Sequence, residues 1–242
     1  MGRGFFPLDE ELGLVPGGLT PSGEENLVRL SSWMPFERAV EMLADMQGIR
    51  VSPSVSRRSS ESAGAAYAEL QKEEVERLEK ETPAAPPGAE KMQMSADGAM
   101  VPLLHGQWAE VRTLVIGEVQ PAVQERGEWV VHTRNLSYFS RKISSEEFER
   151  LALVEVQRRG VENARQVAAV MDGSDWLQGF TDYHRPDAVR ILDFPHAGEH
   201  LNQVGEFLYG EATPEARQWL QERLHQLKHE GPKQLFTELR RL

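Results

Sequence analysis

Apolar residues change their spacing about a third of the way along the chain. Phe36, Ala39, Val40, Leu43 and Met46 recur at helical intervals, and Gly48 ends that pattern. Ser52-Pro53 supplies a cap and a first-turn proline for a second short helix carrying Val55, Arg57 and Arg58. Ala65 to Glu81 is a long amphipathic helix with Tyr67, Leu70, Val75 and Leu78 on one side. An earlier helix is expected within SGEENLVRLSSWM, capped by Ser22 with Glu25 three residues on. The residues before it, rich in Pro and Gly from Phe5 onward, read as an irregular lead-in. From Met92 the texture becomes strand-like. MQMSADGAMVPL, WAEVRTLVIGEVQ and EWVVHTRNLSYF predict three strands with turns near Gly106 and Gly127. A helix capped by Ser144 or Ser145 and stopped by Gly160 follows, then strand RQVAAVMDG, helix SDWLQGFTDYH and strand DAVRILDF. The order β-β-β-α-β-α-β predicts an α/β unit with a mixed sheet and flanking helices.

The proline-rich TPAAPPGAE marks the boundary between the two textures. The expected division is a helical region over 1–82, a linker over 83–91, an α/β core over 92–210, and further helices over 211–242. Helix, glycine turn and a second helix starting Ser-Pro-Ser form a helix-turn-helix-like pattern, although any two-helix hairpin packed on a third reads the same. Arg50, Arg57 and Arg58 fall in a segment without acids and are the candidate nucleic-acid-binding residues. The chain has 242 residues and a net charge of −11, which argues against a complete, strong DNA binder while allowing a local basic surface. No apolar run approaches the roughly 18 residues needed to cross a bilayer, and no secretory apolar segment opens the chain. With no cysteine, disulfide, thiolate and Cys-zinc chemistry are excluded. A cytoplasmic protein without membrane contact is the expectation.

Three apolar runs each carry an aspartate at or near the end: Asp97 in SADGAM, Asp172 in VMDGSDW and Asp193 in ILDFPH. One Asp-Gly alone is a turn signal. If the first and fourth strands are neighbours, ~5 Å apart, Asp97 and Asp172 could share a hard divalent cation, Mg²⁺ or Mn²⁺. The cation would relieve the repulsion between two half-buried carboxylates. Such an ion can align water or a 3′-hydroxyl for in-line attack on a phosphodiester. Gly98 and Gly173 are expected to let the backbone approach a ligand closely.

GFFPLDEELGLVPGGLTP, WMPFERAVEML, ADGAMVPLL, GEWVVHTRNLSYFSR, DGSDWLQGF and ILDFPHAGEHL resemble bacterial insertion-sequence transposases of the Mutator-related group, with an RNase H-like core and a DDE metal site. The resemblance implies a five-stranded RNase H-like sheet in the order 3-2-1-4-5, with helices on both faces. It implies catalytic, metal-binding roles for Asp97 and Asp172. It makes Asp193 and His196 a pair that organises the site, and it implies cleavage and strand transfer at insertion-sequence ends by an oligomer on DNA. The family's third acid is a glutamate on a later helix. Glu206, Glu211, Glu215, Glu222, Glu230 and Glu238 lack its expected neighbours, and no zinc ribbon precedes GFFPLDE. A transposase lacking both segments is therefore expected, with incomplete chemistry.

Two other functions compete. A non-catalytic regulator would keep the DNA-binding segment, or bind a full-length transposase. HAGEH, from His196 to His200, also fits an inverted zinc-peptidase pattern with Glu199 as general base. Trp108, Trp129, Trp176 and Trp219 are read as core or interface. His225 and His229 are read as a solvated helix face.

Overall fold

A computed structural model describes residue 11, residues 13–14 and residues 18–241. Most of the lead-in, including FFPLDE, lies outside the described residues. The chain divides into two compact units at Lys80/Glu81.

In the first unit, α1 (Pro21–Ser31), α2 (Phe36–Gln47) and the start of α3 (Pro53–Glu81) enclose a small core. Leu19, Leu27 and Leu43 are its centre, with Leu30, Val40, Ile49, Val51 and Val55 packed around them. The cap of α1 is Thr20, whose hydroxyl accepts the Gly23 N–H at 3.2 Å, with Pro21 in the first turn. The helix thus starts one residue before Ser22, the expected cap. Gly48 ends α2 in the left-handed region (φ 70°), donating to Ala44 O. Two polar links seat α3 on α1: Ser31 Oγ to Ser56 Oγ at 2.7 Å, and Ser59 Oγ donating to Glu24 at 2.9 Å. The short helix and the long amphipathic helix expected after Gly48 are one continuous 29-residue α3. Nothing between them is a strong breaker: Gly64 costs only about 1 kcal/mol in a helix interior, and no proline intervenes.

In the second unit, five strands form one sheet in the order β5-β2-β1-β6-β7. They are β1 (Lys91–Pro102), β2 (Trp108–Val119), β5 (Thr133–Arg141), β6 (Gln166–Met171) and β7 (Val189–Leu192). β1, β2 and β5 pair antiparallel, and β6 and β7 add on parallel. The expected third strand is split. β3 (Val123–Glu125) and β4 (Glu128–Val130) make a separate hairpin, with Arg126 and Gly127 both at positive φ. Two positive-φ residues are what a tight twisted hairpin needs, so the turn near Gly127 reverses the chain one ribbon early.

Alternation decides the two faces of the sheet. Met92, Met94, Ala96, Leu114, Ile116, Val167, Ala169 and Met171 are buried. Against them lie α4 (Ser145–Arg158) and α5 (Asp175–His184), joined through Phe148, whose ring sits 5.2 Å from Phe139 and 5.8 Å from Phe180. Burying one such ring contributes about 1.5–3 kcal/mol. Ser144 caps α4 as expected, accepting the Glu147 N–H. On the other face Tyr138, Val189 and Ile191 stay 63%, 59% and 44% exposed. Helices α4 and α5 therefore cover one face, where both were expected to be covered.

Residues 82–90 are a packed strap rather than a free linker. Asn163 Nδ2 donates to Ala85 O and Pro86 O, and a Cβ on Gly88 would sit 2.3 Å from Gly160 O. Beyond β7, α6 (Phe194–Tyr209) packs on α7 (Pro214–Glu230), and α8 (Pro232–Leu239) follows. Thr213 caps α7 through the Ala216 N–H. Among the described residues no helix is long and apolar enough to cross a membrane.

Candidate functional site

The register of the sheet gathers the three aspartates. Residue n of β1 faces residue n + 75 of β6: Lys91 faces Gln166, and Met94 faces Ala169. That pairing ends at Met94 and Ala169; Asp97 and Asp172 lie beyond it, both in the wall of one cleft. Residue n of β6 faces n + 21 of β7, as Met171 faces Leu192, and 172 + 21 = 193. The Asp193 N–H bonds Met171 O at 2.8 Å, which extends the ladder by a step. On the other side Asp97 pairs with Thr113 of β2, and Thr113 pairs with Ser140 of β5. Ser140, Thr113 and Asp97 thus stand in one polar row on the open face, and Asp172 and Asp193, which follow β6 and β7, line the same cleft as Thr113 and Asp97.

This row opens into a cleft of roughly 400 Å³. Gln93, Ser95, Asp97, Thr113, Val115, Val170, Asp172, Asp193 and His196 are in its wall. Asp97 is exposed, and its Oδ1 accepts the Gly98 N–H at 2.7 Å. Asp172 follows β6, and its Oδ1 accepts the Ser174 N–H at 2.7 Å, closing a small turn into α5. Desolvation works to raise the Asp172 pKa, but the Ser174 N–H and the His196 charge outweigh it and hold the carboxyl below its ordinary value. Asp193 precedes α6, and its Oδ2 lies 3.3 Å from His196 Nδ1. That hydrogen bond, with Glu199 and Asp172 nearby, raises the His196 pKa. The site therefore carries two carboxyl groups in the wall of one space, with an Asp–His pair at its edge.

The two glycines also have roles within the chain itself. At Gly98 a Cβ would sit 2.2 Å from Glu110 Oε1, and Glu110 pairs with Arg112. Arg112 lies over the Trp176 ring at 5.4 Å and donates to Ile143 O. Gly98 makes room for a carboxylate from the neighbouring strand. Gly173 has φ 89°, a conformation β-carbons disfavour, and it turns the chain from β6 towards α5.

Among the described residues no group of three His, Asp or Glu side chains is arranged to hold a metal ion. None of the glutamates of α6, α7 and α8 is in the wall of the cleft. In HAGEH, Glu199 and His200 are exposed on α6 while His196 turns to Asp193. Arg50 lies between α2 and α3, and Arg57 and Arg58 are exposed near the start of α3, with Glu61 3.7 Å from Arg57. These arginines belong to the first unit and the aspartates to the second. Trp108 and Trp129 are 61% and 75% exposed, so neither is core. Thr113 and Ser140 belong to the polar row although no motif marks them in the sequence. Counting outward from the turn at His105-Gly106 finds the first, since β1–β2 partners sum to 210 (97 + 113 = 210). No family model and no curated protein matches the chain.

Proposed function

We propose that the cleft binds one Mg²⁺ or Mn²⁺ ion between Asp97 and Asp172 and acts on a DNA phosphodiester, in the manner of a DDE transposase. The observation that carries the reading is that Asp97 and Asp172 are in the wall of one cleft on the open sheet face. Three antiparallel strands followed by two parallel ones support an RNase H-like core. Two carboxylates and water can hold a hard cation, since Mg²⁺ keeps several waters readily. The ion would polarise the phosphoryl oxygen and orient the attacking hydroxyl. With two such carboxylates rather than a three-ligand set, a second ion has no firm seat, so cleavage by this chain alone is absent or very slow. Asp193 orients His196 at the edge of the cleft. Arg50, Arg57 and Arg58 supply phosphate contacts from the first unit.

The test is nicking or joining of end-labelled DNA in Mn²⁺ and Mg²⁺. Slow, metal-dependent nicking that disappears in both Asp97→Asn and Asp172→Asn supports the reading. Nicking retained in both variants contradicts it. A second reading, a DNA-binding or transposase-binding regulator without catalysis, is favoured by the absence of a three-ligand group among the described residues. It predicts DNA binding with no nicking in any metal. A zinc peptidase would need unit zinc lost on His200→Ala, and the exposed placement of Glu199 and His200 within α6 does not favour it.

A further inference from the structure

Helix α3 is bare in its middle. Its buried residues lie towards the two ends: Ser56 and Ser59 against α1, and Gln71, Val75 and Leu78 further on. Between them, from Ser62 to Leu70, every residue is exposed except Ala68, which is half-buried. Small side chains dominate the stretch, at Ala63, Gly64, Ala65, Ala66 and Ala68.

Charge orders one side of this helix. Arg57, Glu61, Ala65, Ala68, Lys72 and Glu76 follow one another at steps of four, four, three, four and four. At 3.6 residues per turn they fall within an arc of ~100°. The four charged side chains are 59%, 66%, 45% and 58% exposed. From the N-terminus the signs run plus, minus, two neutral alanines, plus, minus. Reversing the order exchanges the signs, because the positions pair about one midpoint: 57 + 76, 61 + 72 and 65 + 68 are each 133. A second copy laid antiparallel would set Glu61 against Lys72 twice and Arg57 against Glu76 twice, with Ala65 on Ala68 at the crossing. A parallel copy in register would set like charges together. Within its own helix Arg57 has Glu61 at 3.7 Å, Lys72 has Glu69 at 3.0 Å and Glu76 has Lys80 at 4.0 Å. Exposed pairs of this kind are weak and do not hold the charges back from a partner.

We propose that the middle of α3 is a self-association surface, on which a second copy of this chain docks its own α3 antiparallel. The pairing is two-fold symmetric, so each contact occurs twice and the dimer closes. The alanines let the two helix axes approach to ~8 Å, the near end of helix packing. The charges set direction and register more than strength. Arg57 lies at the outer end of the contact, where its several N–H donors leave room for a phosphate as well. The pairing uses no residue of the cleft, so it stands or falls separately from the reading of the cleft.

The experiment is sedimentation equilibrium on the full chain. A dimer is expected in low salt, weakened about tenfold or more in ~0.5 M NaCl, where screening shortens the reach of these charges. Glu61→Lys and Lys72→Glu each oppose like charges and should each weaken the dimer about tenfold or more. An equimolar mixture of the two variants restores it, because the opposed signs are complementary again. Ala65→Arg, at an exposed helical position, blocks the crossing and leaves the helix content by circular dichroism unchanged. A wild-type chain that is monomeric in low salt at about 0.1 mM, well above a micromolar dissociation constant, overturns the inference. So does a dimer that survives both Glu61→Lys and Ala65→Arg unweakened, or a mixture of the two folded charge variants that fails to associate.

Discussion

Acidification should weaken the second unit through His184. The ring lies between Phe180 and Tyr183, with centroids at 4.5 and 4.8 Å, at the end of α5. Its Nε2 lies 2.9 Å from Glu149 O and so donates to it, tying α5 to α4. The residue is half-buried, yet its Nδ1 is sealed from solvent and has no partner. Desolvation disfavours the imidazolium and lowers the pKa from 6.5 to about 4, against a smaller opposing effect of the Glu149 carbonyl. Between those values the unfolded chain holds a proton that the folded chain lacks, so stability falls as the pH drops from 6.5 towards 4. The difference of 2.5 units (6.5 − 4), at ~1.4 kcal/mol each, amounts to roughly 3 kcal/mol at pH 4. His184→Phe keeps the aromatic packing and removes the titration. It forgoes the hydrogen bond to Glu149, about 1 kcal/mol at every pH. Urea unfolding at pH 7 and pH 4, followed by tryptophan fluorescence, gives the pH-dependent loss for each chain. Wild type should lose about 3 kcal/mol more than His184→Phe. Equal losses would refute the burial argument.

Other outcomes follow from the same geometry. Gly98→Ala should push the Glu110 carboxylate off Arg112 and destabilise the chain by about 1–2 kcal/mol. The same change should be nearly neutral in a Glu110→Ala background, as a double-mutant cycle by urea unfolding would show. Asp193→Asn should lower the His196 pKa towards its ordinary value, read from the imidazole proton by NMR. Because Asp193 raises that pKa, the pair's stabilisation is whole below about 6.5 and is lost as the pH rises through the folded value. Arg57→Ala with Arg58→Ala should flatten the salt dependence of DNA binding, by up to about 0.9 in log–log slope for each phosphate that the variant no longer neutralises. An unchanged slope would remove those residues from the DNA-binding surface.

Hydrophobic period made much of the element order of the second unit legible, because its strands are either alternating or buried and α4 and α7 start at the side-chain caps Ser144 and Thr213. The difference of 75 between Asp97 and Asp172 equals the offset of the β1–β6 pairing, which runs from Lys91 to Met94. Other features were invisible for physical reasons. The break expected before Ala65 in α3 failed because serines and one glycine weaken a helix without ending it. The hairpin of β3 and β4 depends on positive φ at Arg126, which composition does not signal. The role of Gly98 depends on Glu110, twelve positions away across a strand pair, and no local pattern announces that contact.

Everything proposed for the cleft depends on whether Asp97 and Asp172 hold one cation between them. Mn²⁺ titration followed by electron paramagnetic resonance counts bound ions directly on the purified chain. One weakly bound Mn²⁺ per chain is expected, displaced by Mg²⁺ and lost in both Asp97→Asn and Asp172→Asn. The amide oxygen introduced by Asp172→Asn can still accept the Ser174 N–H, so the turn into α5 should survive that substitution. Mn²⁺ binding of equal strength in wild type and in both variants, or no binding at all, would contradict a cation shared by the two aspartates.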